Sequence, residues 1–492
     1  MTDRQVSRVL FSIGILQVLT IAVGLLRAKA LSVLLGPAQF GVVSTIDQVV
    51  ITVAGLSALS LPFIAMKFMA RSHSKGEEAF RRTYVAFLRA LAVLAIFAVV
   101  VASALLVADP GFFGNDLAPY RTFLHVALLS VPAFILNILF VNATAAAQRA
   151  GSSAAMTLWV SLALAAAAVT GAVTAGIGGL YVATVVAGVI TTAVSGRYVQ
   201  RTFKVPPDAL RVRFFDELRQ SPEIVRFAIY IYVGTSAYSL TMLATRYFVF
   251  SRVGETEAGL LQAVMSIALT VGAVLTPMNN LYLAPLLNRQ MPTHAKSAAA
   301  SDFAGKMIVL LVVVSLPIVL FPRLVLTVLF SSQFAQAATV LFLFVLWQCL
   351  YNIVNIFLQL LIGLDDVLYW AAITVLAYVC TVVLFPMLVP VAGIGGVAIA
   401  LTAGMGVCGI AAVLRLRRRF AIAIDARVWL RGAFCLAAIA AAGYLFHVSS
   451  EWTPGGSALR VLYAMVVLAC TWALLRPDER LLALEQLRRR KH

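Results

Sequence analysis

The chain carries more long apolar stretches than any water-soluble core could bury. A helix that crosses a bilayer needs roughly 20 apolar residues. By that template the sequence holds fourteen spans: 9–35, 40–66, 83–107, 121–147, 153–174, 178–200, 224–251, 257–285, 304–327, 336–362, 368–389, 394–414, 428–447 and 458–476. Lipid offers no partner to bare backbone, so stretches of this length fold as helices. Only 12% of residues are charged, against about 25% in soluble domains. The predicted fold class is therefore an all-α polytopic membrane protein. The first stretch, from about Val9, is too long for a signal-peptide core and lacks a convincing cleavage site, so it is read as a retained span.

The spans are organised by a duplication. Leu35-Gly36-Pro37-Ala38-Gln39-Phe40-Gly41 separates spans 1 and 2, and its two glycines recur with the same five-residue step as Gly254 and Gly259, 218 residues later. Ala175-Gly176-Ile177-Gly178-Gly179 recurs identically as Ala392-Gly393-Ile394-Gly395-Gly396, 217 residues later. Two patterns at opposite ends of a segment, displaced almost equally, imply an internal repeat. Each copy holds six spans, an even number, so the copies run parallel about an axis along the membrane normal. The expected organisation is a first lobe over 1–203, a basic linker over 204–223, a second lobe over 224–418, two extra helices within 419–476, and a basic tail over 477–492.

Charge sets the predicted orientation. With the N-terminus inside, thirty of the 38 Lys and Arg residues fall in cytoplasmic segments and four (Arg121, Arg252, Arg323 and Arg460) in external loops. That asymmetry is the positive-inside pattern, with both termini cytoplasmic. It also accounts for the net charge of +18 as a matter of topology and attraction to anionic lipid, with no nucleic-acid module in view.

No catalytic constellation emerges. There is no Walker A or HExxH pattern, the five histidines are widely separated, and the five cysteines lie in apolar stretches without a CxxC pair. The external loops are short, the longest being Ala108–Tyr120, which argues against a membrane glycosyltransferase or polymerase. The expectation is a transporter or channel, not an enzyme, with no metal and no cofactor.

Charges inside spans carry the functional signal. Each costs about 2.5–3.5 kcal/mol at mid-helix on insertion scales and so faces a cavity or a partner. Four cations (Arg27, Lys29, Arg89 and Arg246) fall inside spans. Arg27 and Arg246 occupy equivalent spans, each roughly 12 Å below the outer surface at 1.5 Å per residue. Together with Lys29 they would form an anion-attracting cavity between the two copies, and Arg suits phosphate oxygens through paired hydrogen bonds. Arg27 and Lys29 point about 200° apart on a helix, so one of them snorkels, and snorkelling also fits Arg89. Asp47 has two readings: an ion pair with one of these cations, or a site coupling transport to a proton or sodium gradient. Gln348, Asn352, Asn355 and Gln359 share one face of span 10, either to bond sugar hydroxyls or to bond neighbouring helices. Pro62 and Pro277 lie near repeat-equivalent positions and are candidate hinges.

The run Gly24-Leu25-Leu26-Arg27-Ala28-Lys29 with Leu34-Leu35-Gly36-Pro37-Ala38-Gln39-Phe40-Gly41, within a six-plus-six-plus-two plan, resembles the bacterial polysaccharide transporter family. These are O-antigen type flippases of the multidrug/oligosaccharidyl-lipid/polysaccharide exporter superfamily. The resemblance implies two six-helix lobes forming a V around a cationic cavity. It implies movement of an undecaprenyl-diphosphate-linked oligosaccharide from the inner to the outer leaflet of the bacterial inner membrane, by alternating access. An H+ or Na+ gradient would drive it, for O-antigen, capsule or exopolysaccharide assembly, beside polymerase and ligase machinery. A lipid II flippase of peptidoglycan synthesis ranks second, because the uncharged Gly36–Gly41 turn stands where its charged signature is expected. A multidrug extruder ranks third, because cations outnumber acids within the spans.

Overall fold

The structure is a computed structural model that describes residues 3–204, 214, 222–273, 283–287, 291–422, 424–446 and 453–475. Most of the 204–223 linker, the 477–492 tail and Pro277 lie outside the described residues. Sixteen α-helices follow one another, with no strand among the described residues. They are α1 (Asp3–Ser57), α2 (Leu61–His73), α3 (Glu77–Ala108), α4 (Arg121–Leu128), α5 (Val131–Ala146), α6 (Ala150–Phe203), α7 (Pro222–Arg252) and α8 (Glu255–Ala273). Then come α9 (Ala284–Leu287), α10 (Thr293–Leu320), α11 (Pro322–Leu329), α12 (Ala338–Gly363), α13 (Val367–Ala392), α14 (Ile394–Phe420), α15 (Ala426–Phe446) and α16 (Pro454–Ala473).

Among the described residues eleven helical stretches are long and apolar enough to cross a membrane, which makes this a multi-pass membrane protein. Three of them, Gly14–Ser57 (44 residues), Ala150–Phe203 (54) and Val367–Phe420 (54), are longer than the others, which have 19 to 32 residues. Each of the three is broken at a glycine of the repeat. Gly36 sits at φ 68° and ψ 175° with Pro37 directly after it, a conformation almost confined to glycine. Proline is tolerated there because the first-turn N–H has no helical acceptor to lose. Gly176 (φ 59°) breaks α6, and its repeat equivalent Gly393 (φ 53°) separates α13 from α14. Gly254, the equivalent of Gly36, is also left-handed (φ 122°), between α7 and α8. The duplication is thus visible in the backbone: paired glycines end paired helices.

Other breaks depart from the predicted spans. Span 2 does not run unbroken to 66. It stops at Ser57, and Leu59 (φ 51°) and Ser60 (φ 54°) turn left-handed before α2 begins, with Pro62 in its first turn. Span 4 is interrupted at Leu129–Ser130 before Pro132, and span 9 at Phe321 before Pro322. Proline disfavours the helical conformation in the residue before it.

The chain divides into two compact units. The first holds Met1–Gln262, Leu329–Ser331 and Val367–Val397; the second holds the rest. In the first, α6 packs on α1 and α5, α13 packs on α7, and α7 packs on α1. On α3, Leu91, Ala95, Ala98 and Ala102 are buried while Val93, Ile96, Phe97 and Val100 are exposed. The exposed apolar stripe, spaced at three and four residues, is a lipid-facing surface. Small residues let helices approach closely: a Cβ built on Gly171 would lie 2.2 Å from the carbonyl oxygen of Gly179, and the reverse holds at 2.2 Å. In the second copy of the repeat a Cβ on Gly396 would lie 2.3 Å from the oxygen of Leu388.

In the second unit α10 packs on α12 and α15, with α16 alongside. Two arginines hold it at its helix ends. Arg431 donates to the carbonyl of Leu474 from Nε (3.1 Å) and Nη2 (2.8 Å). Arg460 donates to the carbonyls of Leu320 and Phe446, the last residues of α10 and α15. Both satisfy carbonyls that a helix C-terminus leaves without partners. The sequence reading put Arg460 in an external loop; in the structure it lies on α16 and is completely buried. A third anchor is Asp366, buried and bonded by Arg415 (2.8 Å) and Arg419 (3.0 Å).

Candidate functional site

The site is organised by two consecutive residues of α1, Asp47 and Gln48, just past the Gly36 break. Successive residues of a helix point about 100° apart, so this pair serves two neighbours at once. Asp47 faces back to the first half of α1 and across to α6. Its Oδ2 lies 3.4 Å from Arg27 Nη2, and its Oδ1 lies 3.2 Å from the Tyr181 hydroxyl. That hydroxyl is also 3.2 Å from the Val43 carbonyl. Gly36 makes the pair possible, because the turn brings Asp47 back to the depth of Arg27.

Gln48 faces α7. Its Oε1 accepts from Arg246 Nη1, and its Nε2 donates to Thr52 (3.2 Å). Arg246 completes its fork on Gln262, whose Oε1 accepts from Nε (3.2 Å) and Nη2 (2.7 Å). Among the described residues the Arg246 guanidinium is therefore held by two neutral amide oxygens, while Asp47 acts on it electrostatically. Neutral acceptors orient a cation without cancelling it. The carboxylate next door is engaged with Arg27 and Tyr181, so Arg27, Arg246 and Asp47 together carry two positive charges and one negative.

Arg27 and Asp47 also stand at the wall of a cavity of about 410 Å³ within the first unit. α5 contributes Phe134 and Asn137, and α6 contributes Thr157, Ser161, Tyr181 and Thr184. Asn137 is buried. Its Nδ2 donates to the Ala133 carbonyl (2.9 Å) and to Thr191 and Thr192 (3.2 Å each), while its Oδ1 has no protein partner. The cavity is thus lined mostly by apolar side chains, with a few hydroxyl and amide groups among them.

The remaining sequence candidates are dispersed. Lys29 is half-buried on α1 and does not line the cavity; Arg89 is exposed on α3. Gln348 and Asn352 are buried in the second unit against Gly272, where a Cβ would lie 2.1 Å from Gln348 Nε2 and 3.3 Å from Asn352 Nδ2. Asn352 also donates to the Gln348 carbonyl (2.7 Å). Asn355 and Gln359 are half-buried on the same helix. Pro62 follows the Leu59–Ser60 break, and its carbonyl accepts from Asn142 Nδ2 (2.9 Å). Gln48 and Tyr181 were missed as site residues. Gln48 had a signal, a polar side chain beside a mid-span acid; Tyr181 had none. Among the described residues no three His, Cys, Asp or Glu side chains gather to hold a metal ion.

The fold is multi-pass and, among the described residues, all-helical, and comparison with solved structures agrees on it. The chain is similar to lipid II flippase MurJ in an inward closed conformation (11% identity, 93% of this chain and 97% of that one, TM-score 0.64). It is similar to an inward-facing multidrug resistance MATE family transporter of the MOP superfamily (15% identity, 88% and 98%, TM-score 0.59). An outward-facing MATE structure matches at 16% identity over 88% and 96%, with TM-score 0.56. No curated protein matches the sequence. Residues 8–291 match the family described as polysaccharide biosynthesis protein, and the chain belongs to that family.

Proposed function

We propose that this protein is a flippase for undecaprenyl-diphosphate-linked oligosaccharide. It moves the lipid from the inner to the outer leaflet of a bacterial inner membrane for O-antigen, capsule or exopolysaccharide assembly. The observation that carries this reading is Arg246, a mid-span guanidinium held by Gln48 and Gln262, one helix position away from the Arg27–Asp47 pair. Membership of the polysaccharide biosynthesis family and a fold similar to MurJ support a lipid-linked glycan as cargo. On this reading Arg246 and Arg27 take the diphosphate, and the prenyl tail stays in lipid. The two repeats act as lobes in alternating access, both termini are cytoplasmic as the basic residues indicate, and Asp47 serves chiefly to pair Arg27.

The test is leaflet accessibility in proteoliposomes carrying undecaprenyl-diphosphate-linked sugar, probed from one face, with and without a pH or sodium gradient. Movement in the wild type that collapses in Arg27→Ala and in Arg246→Ala supports the flippase and its cationic site. Unchanged movement in both variants would sink the site assignment. Movement of lipid II alone would turn the reading to peptidoglycan synthesis, and movement of no such lipid would turn it to a cation extruder.

A further inference from the structure

A second pocket opens within the second unit, where the start of α10 meets the loop that joins α14 to α15. It encloses about 730 Å³, within the range of small-molecule sites. Its α10 residues, 293–302, precede the predicted span 304–327, and its loop residues, 420–425, fall between the predicted spans 394–414 and 428–447. The pocket therefore lies beyond the hydrocarbon. Arg417, Arg418 and Arg419 form the last turn of α14 directly before Phe420, so it belongs to the basic face, cytoplasmic on the topology proposed above.

The two ends of the pocket differ in chemistry. Thr293, Ser297 and Ser301 follow a step of four, as do His294 and Asp302, so all line it from one face of α10. At the N-terminus of α10 no side chain caps the helix. The amides of Ala295 and Lys296 turn back onto the Pro292 carbonyl (3.0 and 3.2 Å), while those of Thr293 and His294 have no helical acceptor. Such an end attracts anions. Ser297 stands one turn inside it. The residue is 8% exposed and lines the pocket, yet its hydroxyl makes no hydrogen bond among the described residues. Buried hydroxyls on other helices return to the carbonyl one turn back, as at Thr144, Thr245 and Thr381. Ser297 does not, which leaves a buried donor and acceptor for a ligand.

The other end carries two carboxylates. Asp302 pairs with Lys306 (2.6 Å), and Asp425 accepts from the Arg427 amide (2.9 Å). Both are thereby fixed in place, and an ionised carboxylate has about four acceptor sites to share. Lys306 answers the charge of Asp302, so this end suits neutral hydroxyls better than a second cation. Phe420 adds an apolar ring. The loop that carries it is held by the Ile422 amide, which donates to the Leu416 carbonyl (3.1 Å), across the left-handed Ala421 (φ 51°). From His294 to Asp302 the helix rises roughly 12 Å. A hexose with one phosphate spans that distance once side chains reach in from both ends. A phosphoethanolamine headgroup, with two carbons between its charges, is too short.

We propose that this pocket binds a sugar phosphate, the phosphate at the α10 N-terminus with Ser297 and the sugar hydroxyls on Asp302 and Asp425. The same chemistry is offered by a soluble sugar phosphate and by the head of a lipid-linked sugar. The site lies in the other unit from Arg246 and does not depend on the flippase reading.

Calorimetric titration of the full-length protein in detergent tests this. The soluble probes are the 1-phosphates of glucose, galactose and N-acetylglucosamine, with inorganic phosphate and the free sugars as controls. A ten-carbon prenyl-diphosphate N-acetylglucosamine represents the lipid-linked source. At least one sugar-bearing probe is expected to bind about tenfold or more tightly than phosphate or free sugar. Ser297→Val is expected to weaken that binding by about tenfold or more. The pair Asp302→Asn with Asp425→Asn, at the opposite end, is expected to weaken it severalfold and to leave phosphate binding as before. Arg246→Ala is expected to leave the Ser297-dependent binding unchanged, so failure of the flippase reading and failure of this site are read separately. Ser297-dependent binding of a hexose phosphate assigns the soluble source, and of the prenyl probe alone the lipid-linked one. Phosphate binding as tightly as every sugar-bearing probe would overturn the proposal. So would wild-type affinity in both variants, or no binding of any probe.

Discussion

Gly41 and Gly259, equivalent positions in the two copies of the repeat, meet backbone to backbone. A Cβ on Gly41 would fall 2.0 Å from the Glu255 carbonyl oxygen and 2.7 Å from the Gly259 nitrogen, and a Cβ on Gly259 would fall 1.9 Å from the Pro37 oxygen. Nothing flexible stands in the way to yield. Nearby, the Tyr120 hydroxyl donates to Glu255 (2.5 Å). The sequence repeat therefore marks a contact between its own copies.

Gly41→Ala and Gly259→Ala should each lower thermal stability, by about 1–3 kcal/mol on the scale of overpacked cores. Gly24→Ala, where nothing lies within 4 Å of the added carbon, should be neutral or stabilising by up to about 1 kcal/mol. Melting curves of the purified variants in one detergent check the contrast. Equal melting temperatures for all three would show that the two glycine backbones do not touch.

Arg246→Lys should fail almost as badly as Arg246→Ala in lipid movement. The guanidinium bonds Gln48 through Nη1 and Gln262 through Nε and Nη2, and a single ammonium cannot reproduce that fork. Charge alone is retained by the lysine, so a lysine variant at the wild-type rate would show that position and geometry do not matter.

Asp47→Asn keeps an oxygen for the Tyr181 hydroxyl and removes the charge opposite Arg27. Lipid movement should persist within severalfold and still respond to an imposed gradient, since the proposed role of Asp47 is to pair Arg27. Loss of the gradient response with movement intact would assign coupling to Asp47 instead.

Arg460→Met should destabilise the second unit by about 3 kcal/mol or more, the loss of two charge-assisted bonds to buried carbonyls. Arg460→Lys should not rescue it, because the side chain must reach the ends of two helices and lie near the Phe446 ring, 5.2 Å away. Thermal denaturation checks this. A tolerated lysine would mean that one bond suffices.

Much of this was legible before any coordinates. Segment length and apolarity specify helices because lipid leaves the backbone no other partner, and the glycines at 36, 176, 254 and 393 mark breaks because each has a positive φ. The interruption at Phe321 was not legible as a break, and the one at Leu59–Ser60 was signalled only by Pro62, two residues on. A long apolar run hides a short turn whose cost is met by neighbouring helices. Arg460 was misplaced for a related reason: its position in the chain suggested a loop, and only the carbonyls of two distant helix ends show why a full charge is buried there.

The sequence by itself determined the membrane-spanning helical class, the duplication and the cations at mid-span, because these follow from local composition and period. What only the tertiary structure decided was pairing. Asp47 holds Arg27 while Gln48, its neighbour, holds Arg246; Tyr181 joins from 134 residues away. A hydrogen bond depends on which helix faces reach within about 3 Å, and in a chain whose spans are nearly all apolar, composition carries no record of which faces meet.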